Sequence, residues 1–89
     1  MDMNVHYSRL FRRQYKKLQW DLREKTKARI HMLLEHEFNP VLNNHALHKE
    51  YEGCRSINVT GDRRIIYKKH PGGIFHLMAV GTHSELYGR

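Results

Sequence analysis

Two short turns divide the last third of the chain into three consecutive strand-like segments, and this pattern constrains the fold more than any other feature. The segments are Arg55–Val59, Arg63–Lys69 and Ile74–Val80, separated by turns at 60–62 and 71–73. The turns contain Thr-Gly-Asp and Pro-Gly-Gly, residue types that are typical of tight hairpin connections. Consecutive strands joined by such turns pair antiparallel, so this part of the chain predicts a three-stranded antiparallel sheet.

The middle strand of this predicted sheet is apolar on both of its faces. Ile65, Ile66 and Tyr67 follow one another without interruption, whereas a strand with one solvated face alternates apolar and polar side chains. We therefore expect helices to cover one face of the sheet and a functional concavity to occupy the other. After the last strand, residues 84–87 predict a turn or a single helical turn.

The N-terminal part of the chain predicts a strand followed by a first amphipathic helix. Met3–Tyr7 alternates and contains β-favouring side chains, and Ser8 is able to cap a helix over roughly 8–19. The apolar stripe of this helix comprises Leu10, Phe11, Tyr15 and Leu18. Its other face is basic and carries Arg9, Arg12, Arg13, Lys16 and Lys17.

A second amphipathic helix follows. Asp21 is the candidate N-cap, Glu24 three residues later completes a capping-box-like pair, and the helix should end before Asn39. Its buried side is expected to contain Leu22, Ile30, Leu33 and Leu34. The segment Val41–Glu52 lacks a regular period and predicts a loop. The fold class is therefore α+β, with an N-terminal strand and a helical hairpin packed on a small, mainly antiparallel sheet.

Length and charge limit the possible functions. The 89 residues allow one domain, 1–89, with a modest core. A formal net charge of +7 predicts a polyanionic partner, which could be nucleic acid, an anionic membrane or an acidic protein. No apolar run approaches the roughly 20 residues needed to span a bilayer, and no signal peptide is evident, so we expect a cytoplasmic protein. Cys54 has no second cysteine with which to form an internal disulfide, which is typical of a protein in a reducing compartment.

Three residue types near the predicted strand ends are suited to handling an RNA phosphate. The guanidinium of Arg64 could bind phosphate oxygens, the imidazole of His83 could transfer protons near neutral pH, and Tyr87 could stack on a base or approach a leaving group. Each residue also has a structural interpretation. Arg64 could be a solvated edge charge, His83 could be satisfied by a backbone carbonyl, and Tyr87 could pack on the sheet.

The order of these residues resembles a known family. Residues 62–67 contain Asp-Arg-Arg-Ile-Ile-Tyr, and residues 81–87 contain Gly-Thr-His-Ser-Glu-Leu-Tyr. Both segments resemble the bacterial toxins of the RelE/YoeB/YafQ group within the RelE/ParE superfamily, most closely the YafQ branch. The resemblance covers most of the chain and is strongest from His45 onward. It implies a RelE/ParE-like α+β fold.

The resemblance also implies roles for particular residues. Arg64 would contact the scissile phosphate, as in the Arg-x-x-Tyr strand of RelE- and YoeB-like toxins, and His83 matches the Gly-Thr-His of YafQ-like proteins. His45 would be a second proton-transfer group, with base and acid not distinguished between the two histidines. The implied catalytic set is His45, Arg64, His83 and Tyr87. Possible support comes from His48 and from Asp62, which could instead be a turn former.

Further basic residues are candidates for RNA binding. Arg55 aligns with a basic strand residue of RelE-like toxins, and Arg63 stands where YafQ-like proteins carry an aromatic residue. The helical residues that would meet ribosomal RNA are Arg12, Arg13, Lys16 and Lys17. Two positions depart from the YafQ pattern, since Asn58 replaces a strand histidine and Ala79 replaces an arginine. Either Arg64 supplies the lost positive charge, or the chain is a weak or inactive relative.

The function that the resemblance implies is a ribosome-dependent mRNA endonuclease, the toxin of a type II toxin–antitoxin pair. Its partners would be a cognate antitoxin and the ribosomal A site with mRNA and ribosomal RNA. A membrane would not be a partner. A gyrase-inhibiting ParE-like toxin is the alternative from another class, and a non-catalytic RNA- or protein-binding module is a third.

A metal site is a further possibility, since His45 and His48 could converge with His76 or His83. The chain nevertheless has no cysteine pair, no His-Glu-x-x-His motif and no acidic cluster suited to magnesium. We therefore expect a protein that needs neither metal nor cofactor.

Overall fold

The computed structural model describes residues 4–88 and contains three α-helices and five β-strands. In chain order, the elements are β1 Val5–Tyr7, α1 Arg9–Lys16, α2 Trp20–Glu35, β2 His45–Ala46, β3 Arg55–Asn58, β4 Arg63–His70, β5 Ile74–Thr82 and α3 His83–Tyr87. Two short 3-10 helices, Pro40–Leu42 and Lys49–Tyr51, flank β2. None of the helices among residues 4–88 is both long enough and apolar enough to cross a membrane.

The strands form a single mixed sheet in the order β1-β5-β4-β3-β2. The first strand, β1, lies parallel to β5, while every other neighbouring pair is antiparallel. This arrangement confirms the predicted α+β class and the mainly antiparallel sheet. The prediction for the first strand is confirmed over Val5–Tyr7, and its first residue, Met3, lies outside the described residues.

The two faces of the sheet bury different sets of side chains. Ile65 belongs to the main core between the sheet and the helices, whereas the next residue, Ile66, belongs to a smaller cluster with Ala79 and Leu86 on the other face. Successive strand residues point to opposite faces, which explains this division. Helices α1 and α2 cover one face, as the apolar run in β4 predicted, whereas part of the other face, where a functional concavity was expected, carries this smaller apolar cluster. The main core also contains Phe11, Ile30, Leu33, Ile57, Tyr67 and Leu77.

The helix boundaries differ in detail from the sequence predictions. Ser8 caps α1 as predicted, because its Oγ accepts a hydrogen bond from the Phe11 backbone 2.9 Å away. Leu10, however, is 43% exposed and does not join the core. Asp21 as N-cap is wrong, since α2 begins at Trp20 and Asp21 already lies in its first turn. A carboxylate there still interacts favourably with the positive end of the helix dipole.

The predicted loop over Val41–Glu52 contains a strand that the sequence did not indicate. β2 pairs antiparallel with β3, with His45 opposite Ser56 and Ala46 opposite Arg55. A two-residue strand is too short to show a period in the sequence, so it is defined by its pairing at the edge of the sheet. This pairing extends the sheet by one strand and places His45 beside Ser56.

Candidate functional site

Arg64 lies on the face of the sheet opposite α1 and α2, where neighbouring side chains hold its guanidinium. Its Nε donates to Oγ of Ser56, which is fully buried, and its Nη1 donates to Oδ1 of Asn58. Both partners belong to β3, and Asn58 pairs directly with Arg64 across the ladder. Burial lowers the pKa of Arg64 below its usual value, while the nearby Tyr87 acts in the opposite direction.

Polar groups before and at the start of β2 complete this arrangement. Nη2 of Arg64 donates to the backbone oxygen of Asn43 at 3.3 Å and lies 3.3 Å from Nδ1 of His45. A guanidinium has five N–H groups. Oxygens of the described residues Ser56, Asn58 and Asn43 take three of them. The remaining N–H groups are suited to an external anion such as phosphate.

His83 and Tyr87 lie at the start and end of α3, which directly follows β5. Thr82 caps this helix in a capping box with Glu85. The ring centres of His83 and Tyr87 are 4.6 Å apart. The exposed imidazole of His83 therefore lies against the half-buried phenol of Tyr87. Tyr87 in turn meets Tyr51 edge-to-face at 5.5 Å, and the hydroxyl of Tyr51 donates to a backbone oxygen of the same helix. Burial of Tyr51 is the main cause that raises its pKa, and the neighbouring Tyr87 raises that pKa further.

The strand order places the two candidate histidines on opposite sides of Arg64. His45 is on β2, beyond β3, while His83 follows β5, the neighbour of β4 on its other side. Arg64 itself pairs with Gly81, two residues before His83. A Cβ at Gly81 would lie 2.8 Å from a carboxylate oxygen of Glu85, so glycine there allows α3 to fold back onto the strand. A series of contacts links the implied catalytic residues: Nη2 of Arg64 lies 3.3 Å from Nδ1 of His45, Tyr87 acts on the charge of Arg64, and the ring of His83 lies against Tyr87.

The two possible supporting residues are placed differently. The backbone oxygen of Asp62 accepts a hydrogen bond from the His83 amide at 3.1 Å, so the turn between β3 and β4 touches the start of α3. The described contacts of His48 are instead with its own segment, where Nδ1 lies 3.9 Å from a carboxylate oxygen of Glu52. The structure thus brings the backbone of exposed Asp62 to the start of α3, as expected of a turn residue, and shows no contact of its carboxylate with the other candidate residues among residues 4–88.

The two strand arginines predicted to bind RNA point away from Arg64. Alternation along the strands puts Arg55 and Arg63 on the face that α1 and α2 occupy. Nε of Arg55 donates to Oδ1 of Asn44 at 2.7 Å, and its guanidinium lies 5.2 Å from the ring centre of Phe38. Nη1 of Arg63 lies 3.8 Å from Oε1 of Glu85. Alternation in the predicted strand already separates Arg63 from Arg64, but the orientation of Arg55 relative to Arg64 depends on the pairing of β3 with β4, which the sequence does not specify.

The basic helical residues lie along two grooves rather than on one surface. A groove of about 710 Å³ beside α1 has aromatic and aliphatic side chains in its lining, among them Phe11, Tyr15 and Ile30. Basic side chains also line it, namely Arg9, Arg12, Arg13, Lys16 and Lys27. Lys17 lines a second groove of about 590 Å³, together with Arg63. Three of the four predicted helical RNA contacts therefore share a surface, and Lys17 does not.

Asn58 and Ala79, the two departures from the YafQ pattern, have distinct surroundings. Asn58 accepts a hydrogen bond from Arg64, so the arginine brings a positive charge to this position. Ala79 is 3% exposed and packs with Ile66 and Leu86.

Sequence reasoning missed Asn43 and Ser56. For Ser56, the signal was its alternation with apolar residues in β3. For Asn43, it was an asparagine after a proline-led turn, a position where left-handed backbone is tolerated.

The site offers nitrogen and oxygen donors but no clustered metal ligands. Within residues 4–88, no three His, Cys, Asp or Glu side chains are grouped so that they could hold a metal ion. His45, a candidate metal ligand, has contacts with Arg64 and Asn43, whereas the ring centre of His76 lies 5.5 Å from that of His70. The chemistry available at this face is therefore proton transfer by imidazole and stabilisation of negative charge by guanidinium.

Comparisons with known proteins agree with the fold. A family model described as the bacterial toxin YafQ of type II toxin–antitoxin systems matches residues 3–88. YafQ from E. coli strain BL21(DE3) is 24% identical to this chain in sequence. Its structure superimposes with a TM-score of 0.82, covering 98% of this chain and 100% of that one. In the E. coli DinJ-YafQ toxin–antitoxin complex, a chain that is also 24% identical gives a TM-score of 0.79, with coverage of 99% and 100%.

A third similar structure comes from another organism. The YoeB/ParE toxin from Agrobacterium tumefaciens is 16% identical, with a TM-score of 0.78 and coverage of 91% of this chain and 99% of that one. At these identities, the superpositions establish a common fold. The sequence matches none of the curated proteins with which it was compared.

Proposed function

The chain belongs to the YafQ family of bacterial toxins of type II toxin–antitoxin systems, and on this basis we propose that it is a ribosome-dependent mRNA endonuclease. In this proposal, the ribose 2′-hydroxyl attacks the adjacent phosphate, the 5′-oxygen leaves, and translation stops because the message is cut. The protein acts in the cytoplasm, where ribosomes present their mRNA.

The observation that carries the proposal is the position of two imidazoles on either side of an anchored guanidinium. In-line displacement at phosphorus places the attacking and leaving oxygens on opposite sides of the phosphate. One side then needs a base and the other an acid, and histidine serves in either role near neutral pH. His45 and His83 flank Arg64 in the strand order, which supports a base and an acid on opposite sides of a bound phosphate.

Arg64 is proposed to bind the scissile phosphate and to stabilise the charge that develops on it. Hydrogen bonds to Ser56 and Asn58 orient its guanidinium before any substrate arrives. Such preorganised donors are effective because little rearrangement is needed during the reaction. The charge that Arg64 places beside Asn58 supports an active toxin despite the loss of the family's strand histidine. The phenol of Tyr87, against His83, is available for a base or for the leaving group.

The proposed partners follow from the charge of the surface and from the family. The basic groove beside α1 is suited to ribosomal RNA backbone, since Arg and Lys bind phosphates without regard to sequence. A cognate antitoxin is the second partner, as a toxin of this family is one member of a pair. Solved complexes of DinJ with YafQ and of YefM with YoeB support this expectation. The antitoxin is expected to cover the helices or the site face with an acidic or amphipathic segment.

The proposal is tested by incubating the purified protein with ribosomes programmed with a defined mRNA and mapping the new RNA ends. Cleavage at the A-site codon that requires the ribosome is the expected result, and a His83→Ala protein serves as the inactive control. Intact mRNA together with inhibited DNA supercoiling would instead identify a gyrase-directed toxin. Intact mRNA with unchanged supercoiling would indicate a binding module without catalysis.

A further inference from the structure

Asn43 has an unusual backbone conformation next to the site. Its φ of 46° lies in the left-handed region, and among residues 4–88 it shares a positive φ with one other non-glycine residue, Lys49. Non-glycine residues in this region carry a conformational cost, and such positions occur frequently at functional sites. The turn that precedes it is fixed by the fully buried Leu42 and by Asn39, whose side chain accepts a hydrogen bond from Val41 at 2.9 Å.

The next residue, Asn44, is held by three side-chain hydrogen bonds. The side chain of Asn44 donates to the backbone oxygen of Glu37 at 2.9 Å and to the hydroxyl of Tyr67 at 2.8 Å, and it accepts from Arg55 at 2.7 Å. All three contacts lie on the helix side of the sheet. Asn44 is thereby attached to one face, while the carbonyl oxygen of Asn43 reaches the two candidate residues on the other.

That carbonyl oxygen lies 3.0 Å from Nδ1 of His45 and 3.3 Å from Nη2 of Arg64. A carbonyl oxygen accepts hydrogen bonds and a guanidinium donates them. Nδ1 of His45 therefore has to carry a proton to bond with Asn43, and must lack it to accept from Arg64 at 3.3 Å. The carbonyl contact is the shorter of the two, and it selects the tautomer with the proton on Nδ1.

We propose that Asn43 is a positioning residue, whose left-handed backbone directs its carbonyl oxygen to hold His45 as the Nδ1–H tautomer with Nε2 free to accept a proton. This inference rests on the proposed function and names His45 as the general base. The proton of the 2′-hydroxyl passes to Nε2 as the O2′–P bond forms. The P–O5′ bond breaks, and the 5′-oxygen takes its proton from His83, which leaves a 2′,3′-cyclic phosphate and a 5′-hydroxyl.

The test compares two substitutions that differ in their tolerance of positive φ. Asn43→Val puts a β-branched side chain in the left-handed region, so the carbonyl should turn away from His45. We expect the cleavage kcat on programmed ribosomes to fall roughly a hundredfold, as when a catalytic group is misplaced, with KM little changed. Asn43→Gly is the conservative variant, because glycine adopts positive φ readily, and should restore most of that loss.

A matched control separates positioning from general strain. Lys49 also has a positive φ, of 60°, so Lys49→Val imposes the same kind of strain in the neighbouring 3-10 helix. It should leave kcat at the wild-type level. Equal losses in Asn43→Val and Lys49→Val, or equal rates in Asn43→Val and Asn43→Gly, would overturn the assignment.

The tautomer of His45 is measured without any cleavage assay. Long-range ¹⁵N–¹H NMR spectra of the neutral imidazole should show the Nδ1–H form in the wild type and Asn43→Gly, and a shift to the Nε2–H form in Asn43→Val. A wild-type His45 in the Nε2–H form would refute the positioning role regardless of activity. Conversely, a protein with the Nδ1–H form that cleaves no mRNA would refute the proposed function and leave the positioning role intact.

Discussion

Nη2 of Arg64 lies 3.3 Å from Nδ1 of His45, although the two residues are 19 positions apart in sequence. The two side chains also share the backbone oxygen of Asn43 as a partner. Groups that share a partner at this distance are expected to be energetically coupled. The proposed phosphate-binding group and the proposed base are therefore expected to act as one unit.

Arg64→Ala should reduce mRNA cleavage by about 10²–10³ in kcat, the loss typical for removal of a donor that stabilises transition-state charge. Arg64→Lys should recover little of this, because an ammonium cannot reach Ser56, Asn58 and phosphate together. The measurement is single-turnover cleavage on programmed ribosomes. Because of the coupling to His45, the loss in an Arg64→Ala/His45→Ala double variant should be smaller than the product of the single losses. An effect confined to ribosome affinity would make Arg64 a binding residue.

His83→Ala should abolish cleavage and leave the fold intact, because the imidazole is exposed at the start of α3 and contributes nothing to the core. Circular dichroism and thermal unfolding should match the wild type while cleavage is lost. Ser84→Ala, at an exposed neighbouring position, is the matched control and should cleave normally. Cleavage at the wild-type rate by His83→Ala would remove this histidine from the mechanism.

Features with a local signal in the sequence could be predicted. The three C-terminal strands were predicted because their turns contain glycine, and Ser8 was recognised as a cap because its preference is intrinsic to the residue. Arg64, His83 and Tyr87 were proposed as site residues from segments whose order resembles a family, and their roles stay predictions.

Features that depend on tertiary pairing could not be predicted. β2 exists because His45 pairs with Ser56, and two residues carry no periodic signal of their own. The opposite orientations of Arg55 and Arg64 follow from strand register, which composition does not encode. The contribution of Asn43 comes from a backbone carbonyl, a group that every residue possesses, so only the φ of 46° distinguishes it.

The basic helical residues should control ribosome association rather than chemistry. Replacing Arg12, Arg13, Lys16 and Lys17 together with Gln should weaken binding and flatten its dependence on salt. Each lost phosphate contact reduces the slope of log affinity against log salt by roughly one unit. Because Lys17 lies in a different groove, the change in slope should be closer to three units than to four.

A control of equal charge distinguishes these residues from basic residues in general. Replacing Lys25, Arg29, Lys49 and Lys68 with Gln removes the same charge from positions outside the groove. This control should keep most of the original slope, and both proteins should cleave bound mRNA at the wild-type rate. An unchanged slope in the first protein would mean that the groove does not contact RNA backbone.

Glu37 should make the fold sensitive to acid. Burial alone would raise its pKa, but hydrogen bonds from Lys69 at 2.8 Å and Tyr67 at 2.7 Å lower the pKa overall. A lowered pKa in the folded state gives a stabilisation that is present above the unfolded value, near 4.5, and is lost as the pH falls through the folded value.

Urea unfolding measured from about pH 6 to about pH 3 tests this expectation. Glu37→Gln should be less stable than the wild type near neutral pH, and the difference in the free energy of unfolding should shrink as the pH falls. Glu35→Gln, an exposed change at the end of α2, should show no such pH-dependent difference. A constant gap between Glu37→Gln and the wild type would show that the ionised carboxylate does not contribute.

Cleavage should require the ribose 2′-hydroxyl at the scissile position and leave a 2′,3′-cyclic phosphate or 3′-phosphate with a 5′-hydroxyl. The reason lies in the residues available, since His45 and His83 can move protons and Arg64 can stabilise anionic oxygens. No group of three metal-ligating side chains in residues 4–88 is placed to hold a metal-bound water. An mRNA with 2′-deoxyribose at that position should therefore resist cutting, while the same substitution one nucleotide away should be tolerated. Efficient cutting of the first substrate, or products with a 5′-phosphate, would identify water as the nucleophile and overturn the roles proposed for all three residues.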